Sequence, residues 1–254
     1  MTLVQRETRR GVMTITLDDP QSRNALGPEL IEQLLAAIDD ADADQTVRVV
    51  VLTNSGPVFC AGANLKAGSA RPGAPGGLEL FTRFRSSPKP FVGRIDGHCV
   101  AGGMGLAAAM DVAVAVDTAR FGFTEVRVGV APAMISVLCL AKMRPADAAA
   151  AFLRGNRFPA TEAARMGLIT AAVPAEALDR EVEAIVDDIC RGGPEAIAAA
   201  KSLLVRVPEM TTEDAFAWTA DLSAARFRSD EAREGMAAFR EKRDPAWVAD
   251  RDAD

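Results

Sequence analysis

Apolar and polar positions change period several times along the chain. Residues 11–17 (GVMTITL) alternate, as a half-buried strand does. In 28–42, Leu30, Ile31, Leu34, Leu35 and Ile38 share one face at helical spacing. Pro28 suits the first turn of that helix, where a missing N–H is no loss. Residues 47–53 (VRVVVLT) form an apolar run expected of a buried parallel strand. Segments 89–95 and 111–117 read as further strands. Residues 66–77 have no period, which predicts a mobile surface loop beside the turn at Gly62. Beyond 140, helices dominate. One ends on Gly155, a fitting C-cap, and another on Gly167 before a short strand at 169–173. Four helices are expected between about 175 and 243, with turns at RGGP and RVPEM. No internal repeat or long linker appears. The pattern predicts an α/β core over residues 1–192 and a helical part over 193–254.

Composition narrows the function. The net charge of −6 argues against a nucleic-acid footprint, which needs a basic face. No apolar run reaches the roughly 18 residues of a membrane span, and MTLVQRETRRG has no apolar leader. A cytoplasmic protein is expected. Cys60, Cys99, Cys139 and Cys190 are scattered, and His98 is the sole histidine, so no metal site is expected.

Two glycine-containing loops carry the candidate chemistry. In VFCAGANLKAG (58–68) a strand gives way to small residues around Gly62, which let backbone N–H groups approach a ligand. In CVAGGMGLAAAMD (99–111) a strand leads through small residues into a short helix. The first N–H groups of that helix are unpaired and lie at the positive end of its dipole. One free N–H from each loop would make an oxyanion hole. Taken singly, each loop is more often a packing device. Residues 103–108 also fit G-x-G-x-x-A, but the following helix is too short, and Asp117 comes too early for the acid expected about 20 positions on. A third element is RFGFTEVRVGVAPA (120–133), where Glu125 stands among apolar residues. It is either the partner of Arg120 or Arg127, or a tuned acid/base. His98 is expected in a loop, Asp111 as a structural cap, and Met104 and Met110 in the core.

In this order and spacing, these segments resemble the crotonase superfamily of enoyl-CoA hydratases and isomerases. LDDPQSRNAL (17–26), ATEAARMGLIT (160–170) and DEAREGMAAFREKRDPAW (230–247) extend the resemblance over nearly the whole chain. It implies a spiral of ββα repeats, with a C-terminal helical region that builds homotrimers or homohexamers. It also implies an acyl-CoA substrate, with coenzyme A part of that substrate and no separate cofactor. The oxyanion N–H groups map to Ala63 and Gly102. CoA contacts map to Arg23, Ala25, Ala61, Asn64, Leu65 and Lys66, and those reaching in from a neighbouring subunit map to Phe239 and Lys242. The acyl pocket is expected from residues 66–85 and the C-terminal helices.

The departures from the family pattern matter. Two-glutamate hydratases match Glu125 at the second position, but the first position is Gly105. Asn64 replaces the usual aspartate, and AMIS (133–136) replaces a glycine run. Segment 124–136 resembles members that hydrate branched or terpenoid-type enoyl-CoAs, which often lack the first glutamate too. Gly105 is therefore expected to face the site and to leave room for a branched acyl group. One base suffices for moving a double bond from C3 to C2, whereas the resemblance favours hydration. Hydration of a 2-enoyl-CoA is the first expectation, Δ3,Δ2-isomerisation the second, and a non-catalytic acyl-CoA-binding homologue the third.

Overall fold

Val49 to Asn54 are buried throughout, which is why this strand reads as an unbroken apolar run. The computed structural model describes residues 1–64 and 76–248. The chain opens with a hairpin of β1 (Val4–Arg9) and β2 (Val12–Leu17), turned by Arg10 and Gly11 at φ 49° and 73°. Met13, Ile15 and Leu17 point inward, as the alternation predicts. Next come α1 (Pro28–Ala43), β3 (Val49–Asn54), β4 (Val58–Cys60) and α2 (Gly77–Ser86). Then follow β5 (Phe91–Ile95), β6 (His98–Val100), α3 (Gly102–Ala109), β7 (Val112–Val116) and β8 (Arg120–Gly122). A 3-10 turn at Thr124–Val128 leads to α4 (Ala133–Lys142), α5 (Pro145–Arg154), β9 (Phe158–Pro159), α6 (Ala160–Arg165) and β10 (Ala171–Val173). The remainder is α7 (Ala175–Arg191), α8 (Pro194–Arg206), α9 (Thr212–Phe227) and α10 (Asp230–Glu241).

The strands lie in two sheets, ordered β1-β2-β3-β5-β7-β10 and β4-β6-β8-β9. Successive pairs, β3 then β4, β5 then β6, β7 then β8, each place one strand in either sheet. Helical segments return the chain to the first sheet, and stacking these turns makes the spiral. Within the larger sheet every pair after the opening hairpin is parallel. The three-residue strands β4, β6 and β8 escape the periodicity reading because they are too short to show a period. β1 escapes because only Val4 of its residues is buried.

Several local expectations meet their physical cause. Gly155 caps α5 at φ 57°, and Met104 and Met110 are fully buried. His98 begins β6 rather than lying in a loop, and its Nδ1 accepts the Arg120 N–H. Asp111 does more than cap. It accepts the Phe91 N–H at 2.7 Å and pairs with buried Lys201 of α8 at 2.9 Å. Arg48 donates to the carbonyls of Gly192 and Trp247, so the C-terminal segment is fastened to the core near both its ends.

Candidate active site

The two glycine loops meet at Gly62. At φ 89°, a Cβ there would lie 2.7 Å from both Ala101 Cβ and Gly102 N. A Cβ on Gly103 would fall 2.4 Å from the Cys60 carbonyl oxygen. The glycines of CVAGGMG thus let the first turn of α3 press against the end of β4. Leu26 bridges Ala63 in parallel, donating to the Gly62 carbonyl and accepting the Asn64 N–H. That pairing turns the Ala63 N–H to the opposite edge. Gly102 opens α3, so its N–H has no acceptor within the helix. Among the described residues, neither N–H donates to a backbone carbonyl. Ala101 holds the second one in place from an unusual conformation, φ 50° and ψ −126°. Its N–H donates to Gly122 of β8, and its carbonyl accepts from Met104.

Both loops line a cleft of about 480 Å³, closed by the turn Thr124–Val128, the start of α4 and Phe81 of α2. Glu125 is the only carboxylate among the described lining residues, and residues 65–75 contain neither Asp nor Glu. Arg127 donates instead to the Arg154 carbonyl, and Glu125 Oε2 is buried without a hydrogen-bond partner among the described residues. The arginine-partner reading of Glu125 therefore does not hold. Burial pushes the Glu125 carboxyl above the ordinary glutamate range, opposed only by its own backbone N–H. Burial also pushes the Cys60 and Cys139 thiols up to about 12, which leaves neither as a thiolate nucleophile.

The raised carboxyl has a consequence for stability. An unfolded glutamate titrates near 4.5. Between that value and the higher folded value, the folded state binds the proton more tightly, so stability falls as pH rises through the window. Glu125→Gln removes the penalty. The variant should melt above wild type at neutral pH, and the gap should close below the ordinary glutamate range. Equal melting temperatures at neutral pH would contradict the burial.

The structure gathers Ala61, Ala63, Gly102 and Glu125 in one cleft. Arg23 and Ala25 lie beside it, since the Arg23 carbonyl accepts the Ala61 N–H. Asn64 is half-buried next to Gly27. Leu65, Lys66 and nearly all of the loop predicted at 66–77 lie outside the described residues. Phe239 and Lys242 sit on and just after α10, Phe239 fully in the open at 84% exposure, and neither lines the cleft of its own chain. The acyl-pocket expectation needs correction in part. Of the stretch 66–85 expected to build the pocket, Gly77 and Phe81 of α2 do line this cleft. The turn at 124–128 and the start of α4, which were not expected, form further walls, and no described residue of the C-terminal helices lines it.

Gly105 is corrected too. Its missing side chain leaves no open room, because a Cβ there would lie 2.5 Å from Ile135 Cγ2 and 2.8 Å from Phe81 Cζ. The place of a first glutamate is filled by apolar side chains. Gly105→Glu should therefore destabilise the fold, by about 1–3 kcal/mol for overpacking. Ile135→Ala in the same chain should recover part of the loss, which a double-mutant cycle of melting curves would read. An unshifted melting temperature for the single variant would mean that Ile135 and Phe81 yield freely.

The enoyl-CoA hydratase/isomerase family model matches residues 7–250. This chain belongs to the enoyl-CoA hydratase/isomerase family, within the crotonase superfamily. A Thermus thermophilus protein named for enoyl-CoA hydratase activity is 37% identical over 246 residues, covering 93% of this chain and 97% of its own. The enoyl-CoA hydratase structure of Mycobacterium smegmatis matches with TM-score 0.90 at 32% identity, over 97% and 99% of the two chains. Pseudomonas aeruginosa AtuE matches with TM-score 0.91 at 30% identity, over 97% and 100%. The chain is thus an enzyme of this family, whose substrates are acyl-CoA thioesters. Among the described residues, no helix is long and apolar enough to cross a membrane.

Proposed function

We propose that this enzyme hydrates a 2-enoyl-CoA, using Glu125 as its single proton-transfer group. The observation that carries this reading is one buried carboxylate oxygen without a partner among the described residues, in a cleft that also holds two backbone N–H groups donating to no described backbone carbonyl. The Ala63 and Gly102 N–H groups receive the thioester oxygen and stabilise it as negative charge develops. Glu125, as carboxylate, takes a proton from water while the water oxygen bonds to C3. The C2–C3 π electrons move onto the thioester and form an enolate. The proton then passes from Glu125 to C2, which regenerates the carboxylate and completes the addition of water. Burial in the apolar cleft raises the carboxyl and so makes the carboxylate a stronger base for taking the proton from water.

A second reading, Δ3,Δ2-isomerisation, is favoured by the apolar filling at Gly105, since a proton moved between two carbons needs no second acid. Assays of crotonyl-CoA hydration and of 3-enoyl-CoA conversion separate the two reactions. Turnover of neither would leave an acyl-CoA-binding homologue. Arg23, Ala25, Ala61, Asn64, Leu65 and Lys66 form the CoA side of the site in this proposal. Phe239 and Lys242 complete it from a neighbouring copy in a homotrimer or homohexamer built by residues 193–254. The extreme exposure of Phe239 supports that arrangement. The proposed steps call on no cofactor beyond the coenzyme A of the substrate, and the proposed setting is the cytoplasm.

A further inference from the structure

The cleft holding Glu125 has a neighbour. On the other side of Phe81 and Met134 lies a second apolar cleft of about 440 Å³, and these two side chains line both. Besides that pair, the second cleft is lined by Leu78 of α2, Val137 of α4 and Val205 of α8, and by Arg85, which is ion-paired with Glu209. Two glycines make the dividing wall possible. A Cβ on Gly105 would meet the Phe81 ring at 2.8 Å, and one on Gly77 would meet Met134 Sδ at 2.8 Å. The halves of the wall differ. Phe81 is 7% exposed and fixed by packing, whereas Met134 is 52% exposed. An unbranched thioether on an open face can be displaced at little cost.

We infer that Phe81 and Met134 set the acyl-chain length this enzyme accepts. The inference rests on the acyl-CoA reading of the cleft. With the thioester oxygen at Ala63 and Gly102, a short acyl chain stops at the wall. A longer unbranched chain enters the second cleft only by displacing Met134. Each methylene buried beyond the wall would strengthen binding about fourfold, so the wall withholds a large increment from long chains.

The test measures dissociation constants for butyryl-CoA and decanoyl-CoA by titration calorimetry, on wild type, Met134→Ala and Met134→Leu. Alanine should raise the preference for decanoyl over butyryl by about tenfold or more, the equivalent of fewer than two buried methylenes. Leucine refills the wall and should keep the wild-type ratio. An unchanged ratio in both Met134→Ala and Phe81→Ala would overturn the inference. So would a wild type that already draws the full increment from the longer chain. Crotonyl-CoA hydration is followed on the same wild-type protein. Its absence, with the ratio shifted as expected, would overturn the hydratase reading and leave the wall standing. Failure of wild type to bind either thioester would overturn both.

Discussion

Glu125→Gln should lower kcat by about 10²–10⁴-fold while leaving the affinity for a saturated acyl-CoA nearly unchanged. Glutamine keeps the size and the hydrogen-bonding shape of glutamate but cannot take a proton from water. The expected split follows from the site's layout: Glu125 is the sole carboxylate among the described lining residues, and no described arginine holds it in a structural pair. Steady-state kinetics on crotonyl-CoA, with calorimetry on butyryl-CoA, read the two quantities separately. Loss of binding in step with loss of turnover would mean that Glu125 positions the substrate. Retained turnover would move the proton transfer to another group.

Gly102→Pro should cost about 10²–10³-fold in kcat, the scale seen when one oxyanion donor is removed. Proline deletes the N–H that the enolate oxygen is proposed to use. Proline is favoured at the first residue of a helix, but it also pushes the preceding residue towards extended conformations, so Ala101 at φ 50° and ψ −126° has to adjust. The surroundings are close, with Gly62 Cα 3.1 Å and Leu26 Cδ1 3.3 Å from a Cβ at this position. Gly102→Ala is the matching control: it meets the same crowding but keeps the N–H. Proline should fall far below alanine in kcat when both are assayed well below their melting temperatures. Equal activity of the two variants would remove Gly102 from the oxyanion hole.

The sequence made the parallel core and the two meeting loops legible for physical reasons. Strands buried on both faces leave apolar runs, as at residues 49–54. Close backbone approaches demand small residues, as at Gly62 and Gly103. Glu125 was visible as an isolated acid among apolar neighbours, though its lack of an arginine partner was not, because only packing decides where Arg127 points. The strained Ala101 carried no signal, since nothing in its identity announces a positive φ. Phe81 could have been found: Leu80, Phe81 and Phe84 share the buried side of α2 at helical spacing. The stretch 66–85 expected for the acyl pocket contains it without singling it out. The contents of position 105 were not legible at all, because Ile135 is 30 residues away in sequence and reaches it only through the packing of α4 on α3.

The central claim is net addition of water across the double bond of a 2-enoyl thioester through one carboxylate. Its most direct test is to incubate wild-type enzyme with crotonyl-CoA in water labelled with heavy oxygen and analyse the products by mass spectrometry. The account predicts 3-hydroxybutyryl-CoA carrying the labelled oxygen at C3, formed by wild type and about a hundredfold or more slower by Glu125→Gln. Recovery of unchanged crotonyl-CoA, with 3-enoyl-CoA converted readily to 2-enoyl-CoA by the same preparation, would contradict it.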